Sequence, residues 1–147
     1  MRILNYQQRN YIHGILTESG EEHRLEIMID NFNITFEADF LRVVYTGEAE
    51  AIPVQTLLTQ VPNLARNADV KKILCDVRSV TAGLSMLERF DYACKVAEQF
   101  KGLKVAFVVN EPLRDPNLFG ETVAVNRGGN IRVLATLEDA DKWLKVM

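Results

Sequence analysis

"KKILCDVRSV", Lys71 to Val80, is a short apolar run that ends on an acid. Ile73, Leu74 and Cys75 leave no polar position between them, which is the pattern of a strand buried on both faces of a parallel sheet. Asp76 then stands where such a strand meets its outgoing loop, the edge at which α/β proteins hold ligands. The carboxylate has three readings: a general base, part of a regulatory surface, or a group that hydrogen-bonds the turn "VRSV" after it. The last needs nothing beyond the local sequence and is the preferred one.

Working outward from this strand, each flank repeats the alternation of strand and helix. On the C-terminal side Ser85 and Glu88 have the spacing of a capping box. Behind them Met86, Leu87, Phe90, Ala93, Cys94, Ala97 and Phe100 recur as one apolar stripe of a helix. Gly102 stops it, and "LKVAFVV" is a further buried strand. Asp115-Pro116 predicts the cap and first turn of a third helix over Asn117 to about Arg127, ended by Gly128-Gly129. "NIRVLA" is a last strand. Thr136 and Asp139 open a final helix that packs Leu137, Ala140, Trp143 and Leu144.

On the N-terminal side, Val54, Leu57, Leu58 and Val61 recur at helical spacing from about Pro53, and Pro62 is expected to end or kink that helix. Before it, "NITFEAD" alternates Ile34 and Phe36 with polar neighbours, and "FLRVVYTGE" places Leu41, Val43 and Tyr45 on one face. Two strands so close in sequence form an antiparallel hairpin, turning near Ala38-Asp39. Residues 31–147 therefore read β-β-α-β-α-β-α-β-α, an α/β domain whose mixed sheet is mostly parallel. Residues 1–30 form an N-terminal extension. Leu25, Ile27 and Ile29 alternate within it and predict a hairpin of Ile12–Thr17 with Arg24–Ile29. Such an extension needs a surface to cover, a bare sheet edge or a second subunit, so a homodimer is expected.

Composition narrows the function classes. The chain has 147 residues, 48% hydrophobic and 25% charged, which suits one ordinary globular domain. A net charge of −3 argues against a nucleic-acid binder, which carries a basic patch or stripe. The opening "MRILNYQQRNYIHGIL" is too polar for a signal peptide, and no stretch has the apolar length of a membrane span. Cys75 and Cys94 both sit at apolar positions and read as core residues, without a disulfide, which leans towards a cytoplasmic protein. His13 and His23 have no ligand-spaced Cys or carboxylate beside them, so no metal is expected. The glycines of "NRGGN" follow a helix where a phosphate loop would precede one. There is no G-x-S-x-G elbow, and neither Cys has a His near it in sequence. With no catalytic set and no cofactor motif, the expectation is a protein that is not an enzyme.

The element order, with "ILCDVRSVTAGLSMLERF" and the terminal "LEDADKWL", resembles the SpoIIAA-like branch of the STAS family, the sulfate-transporter and anti-sigma-factor-antagonist domains. The resemblance covers about Asn31 to Met147 and implies the family's β-α superhelix. Phosphoswitch members carry Asp-Leu-Ser-Gly at a strand end and Asp-Ser-Ser-Gly at the next helix start. A partner kinase phosphorylates the first serine of the second motif and releases a bound partner. Asp76-Val77-Arg78-Ser79 matches the first motif in part, with Arg78 in place of serine. Ser85 falls at the phosphoserine position, but Leu84 replaces the Asp, and Met86-Leu87 replaces Ser-Gly. Ser85 therefore also reads as an ordinary helix cap.

The resemblance implies a non-catalytic interaction module acting through residues 76–87, with Asp76, Arg78, Ser79, Thr81 and Ser85 as its site and a regulatory kinase or anti-sigma-like protein as partner. The family's superhelix is also similar to that of the CRAL-TRIO lipid-carrier domains. This implies the alternative of an apolar or lipid-like anionic ligand, held in a groove between the second and third helices over Met86, Phe90, Leu118 and Phe119. A third reading makes Asp76 catalytic, with Arg78 or Arg114 as an anion clamp.

Overall fold

The structure, a computed structural model, describes residues 12–14, 25–47, 54–80, 85–110 and 118–146. Its strands are β1 (Ile12–Gly14), β2 (Leu25–Ile29), β3 (Phe32–Phe36), β4 (Leu41–Tyr45), β5 (Lys72–Asp76), β6 (Lys104–Val108) and β7 (Asn130–Leu134). They form one seven-stranded sheet whose order in space is their order in sequence. β1 to β4 pair antiparallel, with Ile12 opposite Ile27, Ile27 opposite Ile34 and Ile34 opposite Val43. β4 to β7 pair parallel. Within 31–147 every pairing but β3–β4 is parallel, so the sheet is mixed and mostly parallel there.

The turns follow from local chemistry. Asp30 and Asn31 join β2 to β3 with φ of 47° and 65°. This left-handed pair is the demand of a tight hairpin, and Asp and Asn tolerate it better than other non-glycine residues. Glu37 to Phe40 joins β3 to β4, closed by the Glu37 amide donating to the Phe40 carbonyl at 3.0 Å.

The connection from β4 to β5 departs from expectation. Pro62 does not break the helix: a π-helical turn, Thr56–Gln60, runs directly into α1 (Val61–Asn67), with Pro62 in its first turn. The Val61 amide donates to the Thr56 carbonyl, five residues back. Proline lacks an amide donor and crowds the preceding turn, and the widened turn gives its ring room without ending the helix. Thr56 is buried there, and its hydroxyl donates to the Asp30 carboxylate.

Three more helices follow: α2 (Met86–Gln99), α3 (Phe119–Asn126) and α4 (Leu137–Lys145). Gly102, at φ 81°, ends the turn after α2 in a conformation a side chain would oppose. α3 starts later than the sequence predicts. Its N-cap position is Leu118, at φ 50° and without a side-chain cap bond, while Asp115-Pro116 lies outside the described residues.

The path β4–α1–β5–α2–β6–α3–β7 always steps the same way across the sheet. Right-handed crossovers then put all three helices on one face. The packing agrees: Ile73, Cys75, Val105 and Ile131 share a core with Leu64 of α1, Ala97 of α2 and Ala124 of α3. α4 comes after the last strand and folds back over the other face, where Ala140 and Leu144 cover Leu74, Ala106 and Val108. β5 thus has helices on both sides, which is why its apolar run has no polar interruption. Each fully buried aliphatic side chain there contributes roughly 1.5–3 kcal/mol.

α4 is held at both ends. The Thr136 hydroxyl accepts from the Asp139 amide at 3.1 Å. Lys104 Nζ donates to the carbonyls of Trp143, at 2.6 Å, and Val146, and lies 4.5 Å from the Trp143 ring centroid. Partial burial, then the charges of Lys72 and Arg132, hold the Lys104 ammonium below the usual lysine range. At the β7 border, Glu121 Oε2 accepts the Val133 amide at 2.8 Å.

Candidate functional site

Asp76 is the last residue of β5 and one of two buried polar residues among those described, the other being Thr56. Because strand side chains alternate, Asp76 shares the α4 side of the sheet with Leu74, while Ile73 and Cys75 face α1–α3. Its carboxylate takes three hydrogen bonds from one residue. Arg78 gives its backbone amide at 3.2 Å and Nε at 2.9 Å to Oδ1, and Nη2 at 2.8 Å to Oδ2. Burial works to raise the Asp76 pKa. The side-chain and backbone bonds from Arg78, with the charges of Arg78 and Arg42, outweigh it and hold the carboxyl below the usual carboxylate range.

The turn after β5 is tied down at further points. The Val77 amide donates to the Val108 carbonyl at 2.9 Å, and the Val80 amide to the Val77 carbonyl at 3.1 Å. The Ser79 hydroxyl donates to the Tyr45 carbonyl at 2.8 Å, fixing this turn to the end of β4. Asp76, Arg78 and Ser79 are therefore brought together, and their polar groups build the turn. Thr81 and Arg114 lie outside the described residues.

Ser85 caps α2. Its hydroxyl accepts the Glu88 amide and its own amide donates to Glu88 Oε1, both at 3.2 Å; hydrogen bonding to the Glu88 carboxylate from the Ser85 side chain, then from its backbone, lowers the Glu88 pKa. Ser85 is exposed. Its helix packs on the face opposite α4, so the Asp76 carboxylate and the start of α2 belong to different sides of the sheet. The sequence presents residues 76–87 as one continuous segment, and the alternation of β5 is what divides it.

The apolar stripe of α2 divides as well. Ala93, Ala97 and Phe100 are buried and Cys94 is half-buried, but Met86 is 62% exposed, Leu87 77% and Phe90 41%. Three large apolar residues in the first turns thus do not join the core as the periodicity predicts. Leu118 and Phe119, at the start of α3, are half-buried. One residue just past α3 joins this surface unannounced: the Arg127 guanidinium lies 5.5 Å from the Phe90 ring centroid.

The chain matches no protein-family model, and no curated protein is significantly similar to it.

Cys75 is fully buried, and burial, followed by the Asp76 charge, pushes its thiol far above the usual range. It stays protonated and unreactive. Among the described residues no three His, Cys, Asp or Glu side chains gather as metal ligands would. No helix among them is long and apolar enough to cross a membrane.

Proposed function

We propose that the chain is a STAS-like regulatory module that binds a protein partner through the α2 end of residues 76–87, with the first turns of α2 as the contact surface. The observation that carries this reading is the exposure of Met86, Leu87 and Phe90 directly behind the Ser85 cap. Leaving three large apolar side chains in water forgoes stability that burial would supply, and adjacent exposed apolar residues mark interaction sites. Ser85 lies at the edge of this surface. Phosphate on its hydroxyl would place about two negative charges there and strengthen the helix cap while altering the contact.

The test is a photo-crosslinker at Leu87 in the full chain, expressed in its own host, with crosslinked peptides read by mass spectrometry. One protein crosslinked at Leu87, and lost on Met86→Ser with Phe90→Ser, supports the reading. The same partners recovered with and without those substitutions refute it. A Ser85 peptide never found phosphorylated in cells removes the switch while leaving the interaction.

One observation favours a second reading. Arg127 over Phe90 puts a cation beside the apolar surface between α2 and α3, as a lipid-like anion would require. Native mass spectrometry of protein purified from that host separates the two: a co-purifying anionic lipid supports the ligand reading, and none refutes it.

A further inference from the structure

Among the described residues, Arg78 is bound along one edge only. A guanidinium has two forked edges and five N–H donors, each fork matching a carboxylate or a phosphoryl group. Asp76 takes the Nε–Nη2 edge and buries its own side of the pair, its side chain being 9% exposed. The Arg78 side chain is 46% exposed, and its only acceptor among the described residues is Asp76. The outer Nη1–Nη2 edge is therefore without an acceptor among the described residues, on a side chain that is half exposed.

The residue is also ordered in advance. Its backbone amide is on the Asp76 carboxylate, and the turn is fixed to β4 by Ser79 and to β6 by Val77. An arginine held this way loses less freedom on pairing than an ordinary surface side chain does. Among the described residues the neighbouring charges balance. Arg42 pairs with Glu37 at 3.3 Å and Arg78 with Asp76 at 2.8 Å. Recognition there rests on the geometry of the fork and not on a surplus of positive charge.

We propose that Arg78 is an oxyanion-binding residue, whose outer edge takes a carboxylate or phosphoryl oxygen pair while Asp76 positions it. The place is the C-terminal edge of the parallel strands, where α/β sheets receive ligands. The inference does not depend on the reading of α2, which lies across the sheet.

The test is titration of the full-length, isotope-labelled protein with inorganic phosphate, and separately with acetate, following the Arg78 Nε–H signal and the amides of Val77 to Val80 by NMR. A saturable shift with either anion is expected, and the tighter of the two names the ligand class. Arg78→Lys keeps the charge and loses the fork, so binding should weaken about tenfold. Asp76→Asn should weaken it too, by freeing the arginine from its position. No shift with either anion overturns the proposal, as does Arg78→Lys binding like the wild type. Should Asp76→Asn fail to fold, the half-exposed Arg78→Lys variant, shown to be folded by circular dichroism, decides alone.

Discussion

The turn after β5 and the first turns of α2 lie on one short piece of chain and are built on opposite terms. In the turn, a buried carboxylate, an arginine and a serine hydroxyl all have partners, and the backbone is fixed to two neighbouring strands. In α2, the cap is satisfied but Met86, Leu87 and Phe90 stand in water. Polar groups that cannot be left unpaired make the first region structural. Apolar groups that could have been buried and are not make the second available to something else. Substitutions should therefore cost stability in the turn and contacts in the helix.

The largest effect should come from Asp76→Ala. It leaves the Arg78 amide and guanidinium without their acceptor. Because Arg78 is half exposed and water can replace part of the pair, the loss should be about 2 kcal/mol, less than for a fully buried pair. Urea unfolding measures it, and an unmoved midpoint would remove the contrast between the regions. The same carboxyl predicts a pH dependence. Its folded-state pKa is lowered, so its contribution is complete above the unfolded value of about 4 and is lost as pH falls from there through the folded value. Asp76→Asn should flatten the acid limb of the stability curve, and an unchanged limb would show that other carboxylates set it.

Next in size is Ser85→Ala, which removes the hydroxyl acceptor of the capping box and should cost about 1 kcal/mol. A loss equal to that of Asp76→Ala would mean that the cap is as structural as the turn. Smallest is Leu87→Ser. At 77% exposure it should leave the unfolding midpoint within about 0.5 kcal/mol of wild type while weakening capture of the partner that the crosslinker at Leu87 identifies, read by pull-down. A large destabilisation would show that the side chain packs after all.

The strands were legible in the sequence because their burial is regular. "KKILCDVRSV" reads as a strand covered on both faces, and Ile73, Leu74 and Cys75 are completely buried. Leu41, Val43 and Tyr45 share a face as alternation requires. The Ser85 and Thr136 caps are where their spacing puts them. Of the two outcomes expected at Pro62, an end to the helix does not occur, and the turn before the proline is widened instead. The first turns of α2 misled. An apolar stripe records which face a helix could bury, not how far along its length the neighbouring core extends. The bonding of Asp76 to its turn was legible too, since an Asp before such a turn commonly bonds it. That Asp76 and the start of α2 belong to different sides of the sheet was not, because it depends on which helix follows the last strand and where it folds.

Glu121 carries a consequence for how the protein meets copies of itself. β7 is the last strand of the sheet, and the carboxylate reaches from α3 to take the Val133 amide on the strand. A strand from another molecule arriving at that border finds a donor already occupied and a negative charge where its own carbonyls would approach. Glu121 thus opposes strand addition at this point of the β7 edge. Glu121→Val would remove the guard, and its signature is a turbid concentrated solution where the wild type stays clear.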